Sequence, residues 1–348
     1  MTSNLRIPLP DPKEQRTWAE QMELEKLGEK RFRSKKGAPY GTFTTKNGEP
    51  RARAFGGHVY AQAAYACAKT VAPGFVIHAT TNLTAKSITG YFTILGLADE
   101  PFMYDVNVIR NGGNYCVRRV EVWQGDESQI CFSGMCSFKR PEPNFLNIQD
   151  PKDMETKYAS ILGGKKVKDL PIRDDFKDMS QEPCISTTFP AMYTSFLPFA
   201  ALHKNQAPID RTNLYIYSAN GEATATPDPN LDACAHLYHS DRESIWSLLR
   251  SYEVLDVLAV ASSLSHTVIF HGGPEKLAFH DSRGRRFFFQ ETSGRRLSDG
   301  RGLHEGRIYD GDGNHVVSTM QDGAMKLNWE SEEQMRTREK ALQKTSKI

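Results

Sequence analysis

No stretch of the 348-residue chain approaches the ~18 consecutive apolar residues that a membrane-spanning helix needs. Charge is nearly balanced: 44 Lys and Arg against 42 Asp and Glu leave a formal net charge of +2. Such a balance has little pull on a polyanion, so nucleic acid is not expected as a partner. The opening residues, MTSNLRIPLPDPKEQ, hold no apolar core of the kind that marks a secretory leader. Cysteine is sparse, and its positions (67, 116, 131, 136, 184 and 234) are scattered through apolar stretches. Without a leader they read as reduced core residues, not as a disulfide framework. No G-x-S-x-G is present. That removes the nucleophile elbow of serine esterases, although Phe270-His271-Gly272-Gly273 has the form of their oxyanion loop. No H-E-x-x-H is present, and His236 and His239 lack an obvious third ligand, so no metal centre is expected.

What is present suits a globular chain long enough for two cores. Residues 1–50 are polar and form an N-terminal extension with a short helix near 14–28. The alanine-rich segment 55–72, opened by Gly56-Gly57 and closed by Pro73-Gly74, predicts a helix that something wraps closely. Strands are expected at 75–84, 86–94, 102–110, 114–124 and 129–139, the last two joined by a turn at Gly125-Asp126. A Pro-rich, charged linker follows at 141–183. Then the plan repeats. A strand at 212–218 leads into a long helix at 229–252, followed by strands at 262–271, 285–292, 301–309 and 315–327. The hairpin turns at Gly125 and Gly311 lie 186 positions apart, and Phe92 and Phe270 lie 178 apart. A helix followed by an antiparallel sheet, twice, predicts an α+β fold of two units, 51–140 and 184–328. A charged tail, 329–348, closes the chain.

The long helix carries the most informative residue. Asp228 is a suitable N-cap and Pro229 suits the first turn. Apolar residues recur at Leu231, Cys234, Tyr238, Ile245, Leu248 and Tyr252, and Asp241 falls in phase with them. A carboxylate on a buried face needs polar company. The alternative is a capping box, Ser240-Asp241-Arg242-Glu243, that would break the helix in two. The next strand places Ser263, Ser265, Thr267 and Ile269 on one face and Leu264, His266, Val268 and Phe270 on the other. The repeat sets Gln321 opposite Met135, and Asp241 opposite Phe55, His58 or Ala63 depending on the offset used. Asp241, Ser263 and Gln321 thus stand on the helix, adjoining strand and last strand of one unit. The arginines between 283 and 307 could grip phosphates, or simply edge a solvated sheet.

Several stretches resemble the acyl-CoA thioesterase II family, which has a double hotdog fold of two antiparallel sheets, each wrapped around a central helix. They are Phe55-Gly56-Gly57-His58, then Ser87 to Phe92, Tyr238-His239-Ser240-Asp241, Ser263 to His271, Arg301 to Tyr309, and Asp312 to Gly323. The resemblance covers roughly residues 50–327. It implies hydrolysis of an acyl-CoA or related thioester by a water held by Asp241, Ser263 and Gln321. It implies substrate contacts at Gly57, His58, His266 and Arg301, no metal or other cofactor, and a homo-oligomer. The chain departs from the family pattern at His58, where the family has Gln, and at Ser265, where it has Asp. It also lacks the usual histidine motif around 87–92. Hotdog dehydratases or hydratases of acyl and polyketide thioesters, and non-catalytic acyl-binding modules, are the alternatives. The final Ser346-Lys347-Ile348 differs from the peroxisomal address Ser-Lys-Leu by one branched isomer. The expected location is the peroxisome, with the cytoplasm as the alternative.

Overall fold

Alternating inward apolar and outward polar residues build one long antiparallel sheet in the computed structural model. The structure describes residues 16–44, 50–71, 84–140, 142, 146–149, 191–196, 206–222, 228–242, 244–282, 284–328, 330 and 332–345. Nearly all of the expected strand at 75–84 and of the expected linker, and the terminal Ser346-Lys347-Ile348, lie outside them.

The first part of the chain contributes α1 (Trp18–Gln21), β1 (Leu24–Lys26), β2 (Arg31–Ser34), β3 (Tyr40–Thr44) and β4 (Pro50–Ala54). The central helix α2 (Gly56–Lys69) follows, then β5 (Thr84–Phe92), β6 (Met103–Asn111), β7 (Tyr115–Trp123) and β8 (Ile130–Lys139). The second part contributes β9 (Met192–Phe196), β10 (Thr212–Ala219), α3 (Pro229–Ser240), α4 (Ser244–Ser251) and β11 (Leu258–Phe270). It continues with α5 (Pro274–Leu277), β12 (His280–Asp281), β13 (Gly284–Arg285), β14 (Phe288–Ser298), β15 (Arg301–Tyr309), β16 (His315–Leu327) and α6 (Glu332–Thr345).

The main sheet runs β1-β2-β6-β7-β8-β5-β11-β16-β15-β14-β10-β9. Its midline is the antiparallel pair β5–β11, where the two units join. Outward from that seam each unit repeats one order, β5-β8-β7-β6 on one side and β11-β16-β15-β14 on the other. The sheet curls around α2 and α3, whose side chains are largely buried. Phe55 meets Tyr238 edge-on at 5.0 Å, and the Tyr60 hydroxyl donates to the Ile88 carbonyl at 2.8 Å. Each large apolar side chain buried this way contributes about 1.5–3 kcal/mol.

Three expectations change. The helix near 14–28 is only the turn Trp18–Gln21, opened by a reciprocal Thr17–Glu20 capping box. The residues after it form β1 and β2 instead, because the edge of β6 offers unpaired backbone groups to β2. The strand placed at 285–292 runs from Phe288 to Ser298. Finally, the long helix is two helices. Asp228 caps the first as expected, accepting from the Asn230 and Leu231 amides. The break falls after Ser240, where serine hydroxyls take up main-chain carbonyls. Ser240 Oγ donates to Leu237 O at 2.7 Å, and Ser244 Oγ donates to Asp241 O at 3.0 Å. Helix α4 then lies flat on the sheet, with Ile245 against Gly323. A Cβ there would sit 2.6 Å from Ile245 Cδ1 and 3.0 Å from the Ser262 carbonyl, so the glycine makes room for the helix.

Candidate active site

Asp241 is the residue that ends α3, and the break in the helix is what frees its side chain. Had the helix continued, the carboxylate would lie along its buried stripe. At a helix end it turns instead toward β11 and β16. Gln321 Nε2 donates to Asp241 Oδ1 at 2.5 Å and lies 2.8 Å from Ser263 Oγ. Ser263 Oγ donates to Asp241 Oδ1 at 3.2 Å. The three residues, 80 positions apart at the extremes, form one triangle.

Ser263 reaches it through a β-bulge. Ser263 pairs with Gly323 and Ser265 with Asp322, so Leu264 is an extra residue on β11. One extra residue shifts the alternation, and Ser263 joins His266 on the inner face. The strict alternation read from the sequence put them on opposite faces, and the bulge corrects that. Ser265 stays outside, where its amide and hydroxyl both donate to Asp322, which also pairs with Arg301. These outer contacts tie β11, β16 and β15 together directly behind the triangle.

Asp241 is 8% exposed. Burial pushes its carboxyl up from the ordinary 3.8 to about 6. Hydrogen bonds from Gln321, Ser263 and the Gly57 amide pull it back down, as does the nearby Arg53 charge. The carboxylate therefore faces the N-terminus of α2, a helix of the other unit, whose partial positive charge favours an anion. Gly57 has to be glycine at this crossing. A Cβ would lie 2.5 Å from the Phe55 ring and 2.6 Å from the Tyr238 carbonyl of α3.

The other expected residues fall in different places. His266 is fully buried, its Nε2 2.8 Å from Ser240 Oγ. Since Ser240 Oγ already donates to Leu237 O, the imidazole is the donor, and it holds the end of α3 just before Asp241. His58 lies in the core against Gln21 and edge-on to Tyr238, and burial lowers its pKa to about 3. Arg301 is on the outer face, 61% exposed and ion-paired with Asp322. The structure thus brings Asp241, Ser263, Gln321 and Gly57 together, sets His266 behind them, and leaves His58 and Arg301 outside the group. Arg53, beside the carboxylate, was not anticipated. Its position on the strand entering α2 was the available sign. Among the described residues, no group of three or more His, Cys, Asp or Glu has the arrangement of a metal site.

The duplication explains why one unit alone carries this group. Strand β5 has the same bulge, with Lys86 extra between Ala85 and Ser87. Matching the bulges sets Ser263 against Ala85 and Gln321 against Cys136, not Met135, which faces outward. The residue ending α2 is Thr70, the counterpart of Asp241, so the sequence offsets to Phe55, His58 and Ala63 are also superseded. There the Arg118 guanidinium donates to Thr70 Oγ1 at 2.9 Å and to the Thr70 carbonyl at 3.2 Å. A cation caps the helix where the other unit has an acid.

Comparison with known proteins places the chain in a family. Residues 46–139 match the family model for the acyl-CoA thioesterase N-terminal domain, and residues 183–325 match that for the acyl-CoA thioesterase C-terminal domain. The chain belongs to the acyl-CoA thioesterase family. The thioesterase is 25% identical over 288 residues to acyl-CoA thioesterase 2 of Haemophilus influenzae, a match spanning 79% of this chain and 88% of that one. Human acyl-coenzyme A thioesterase 8 is 23% identical over 289 residues, spanning 80% and 82%. The solved structure of the acyl-CoA thioesterase II TesB2 from Mycobacterium marinum shares the fold. Its TM-score is 0.62 at 21% identity, with 90% of this chain and 98% of that one covered. The fold is a double hotdog and the thioesterase is a thioester hydrolase.

Proposed function

We propose that the thioesterase hydrolyses acyl-CoA esters by direct attack of a water held among Asp241, Ser263 and Gln321. The observation that carries this reading is the triangle itself: one buried carboxylate oxygen receives both the Gln321 amide and the Ser263 hydroxyl. A thioester has an electrophilic carbonyl and a good leaving group. What it needs is an oriented water and a base, not a strong general acid. Asp241 accepts the proton as the water oxygen bonds to the acyl carbon. Ser263 and Gln321 fix that water, and the partial positive charge at the start of α2 favours the developing oxyanion. Collapse of the tetrahedral intermediate breaks the C–S bond, and the thiolate takes the proton from Asp241. Free acid and coenzyme A leave.

An Asp near pKa 6 is a base at neutral pH and still basic enough to hold the proton briefly. Asp241→Asn keeps the shape and removes the base. Thiol release followed with a dye should fall by about 10²–10⁴ in turnover, with substrate binding little changed. Full activity in the variant would end the reading. Loss or gain of water in the acyl chain without thiol release would instead favour the dehydratase or hydratase alternative.

A further inference from the structure

The Gln321 side chain is satisfied at one end only. A carboxylate oxygen can only accept, so the amide nitrogen faces Asp241 and the amide oxygen points away. That oxygen is buried and accepts no hydrogen bond. Directly across the strand pair stands His304 of β15, in register with Gln321 of β16. Its ring is 1% exposed, and neither Nδ1 nor Nε2 makes a hydrogen bond of ordinary length and angle. The sheet offers the ring no substitute. Its same-face neighbours along β15 are Gly302 and Gly306, and its partner on β14 is Gly294. A buried acceptor and a buried ring, neither in a well-formed hydrogen bond, therefore face one another. Buried polar groups left this way are rare and call for an explanation. The ring is neutral: burial lowers its pKa to about 4, while its approach to the Gln321 side chain and the Asp322 charge act upward. A neutral imidazole has one N–H to donate.

We propose that His304 is a positioning residue, whose ring N–H donates to Gln321 Oε1 and so keeps Nε2 turned toward Asp241 and Ser263. The inference rests on the water site proposed above. An amide reversed end for end occupies nearly the same volume, so packing alone does not choose its orientation. Reversed, it would set oxygen against the Asp241 carboxylate and remove a donor from the water site. The duplication points the same way. At the matching positions the first unit has Cys136 and Arg118, and that unit has no acid at Thr70. Carboxylate, amide and imidazole thus occur together in one unit and are replaced together in the other.

The test compares His304→Leu, His304→Gln, Gln321→Ala and the double variant His304→Leu/Gln321→Ala in acyl-CoA hydrolysis. His304→Leu fills the space without a donor. Its kcat should fall about 10- to 100-fold with KM within about twofold, the scale of a misplaced reacting group. His304→Gln restores an N–H donor and should recover most of that loss. The Gln321 hydrogen bond lowers the Asp241 pKa. Its loss in His304→Leu should therefore move the acid limb of the kcat–pH profile upward, and His304→Gln should move it back. The double variant should be no slower than Gln321→Ala alone. Unchanged kcat in His304→Leu, no rescue by Gln, an unmoved acid limb, or losses that multiply in the double variant would each overturn the proposal. If Gln321→Ala itself keeps full kcat, the water-site reading fails instead, and the two failures are told apart.

Discussion

Asp241→Asn should make the thioesterase more stable at neutral pH while removing most of its activity. The native carboxyl titrates near 6, against an ordinary 3.8. The folded protein therefore binds this proton more tightly than the unfolded chain does. Well below pH 3.8 both states are protonated and the residue costs nothing. As pH rises from there to about 6 the unfolded state loses its proton first, and native stability falls. Above about pH 7 the full penalty is present, about 3 kcal/mol at 1.36 kcal/mol per unit of pKa. Asparagine is never charged and escapes it. Its amide oxygen can still accept from Gln321 and Ser263, but its NH2 would then face the Gly57 amide, which costs about 1–2 kcal/mol. The net expectation is a gain of about 1–2 kcal/mol above pH 7 that vanishes or reverses near pH 4. Urea unfolding of both proteins from pH 4 to pH 8 measures the gap directly. A gap that does not change with pH, or a wild type that is more stable throughout, would refute the claim that Asp241 is a desolvated carboxylate held for chemistry at a cost in stability.

The kcat of the wild type should rise with pH through about 6 and then level off, because the base is active only when deprotonated; a stopped-assay pH series from 4.5 to 8.5 reads it. Gly57→Ala forces a methyl against the Phe55 ring and the Tyr238 carbonyl. It should lose about 1–3 kcal/mol by thermal or urea unfolding, since α2 and α3 must separate to admit it. Ser263→Ala should lower kcat roughly 10-fold, and combining it with Gln321→Ala should cost less than the product of the two losses, as expected of groups acting on one water.

Regular periodicity made much of this legible in the sequence. β15 and β16 were expected at the ranges they occupy, and α2 within three residues of its end, because long alternating or alanine-rich runs leave few alternatives. Asp241 stood out for the opposite reason, as an acid in phase with a buried stripe. The helix does break beside it, though Ser240 donates to the Leu237 carbonyl and does not cap a following helix. The break supplies the turn that aims the side chain. What stayed hidden depends on partners far along the chain. The extra residue at Leu264 exists because Ser263 and Ser265 pair with adjacent residues of β16, and no local propensity announces it. Without that bulge the repeat was aligned one residue out, pairing Gln321 with the outward Met135 rather than the inward Cys136. His304 lay inside a quoted motif but had no stated role. Its importance appears only when β15 is set beside β16 and three glycines leave its ring without a neighbour to pair with.

In the proposed reaction water, not the protein, bonds to the acyl carbon. A single turnover with excess enzyme in H2¹⁸O tests it most directly. Direct attack predicts one ¹⁸O in the released acid on the first turnover and none in the peptide that contains Asp241. An unlabelled acid, with ¹⁸O appearing in the Asp241 carboxylate, would show that the aspartate itself had attacked, and would contradict the account.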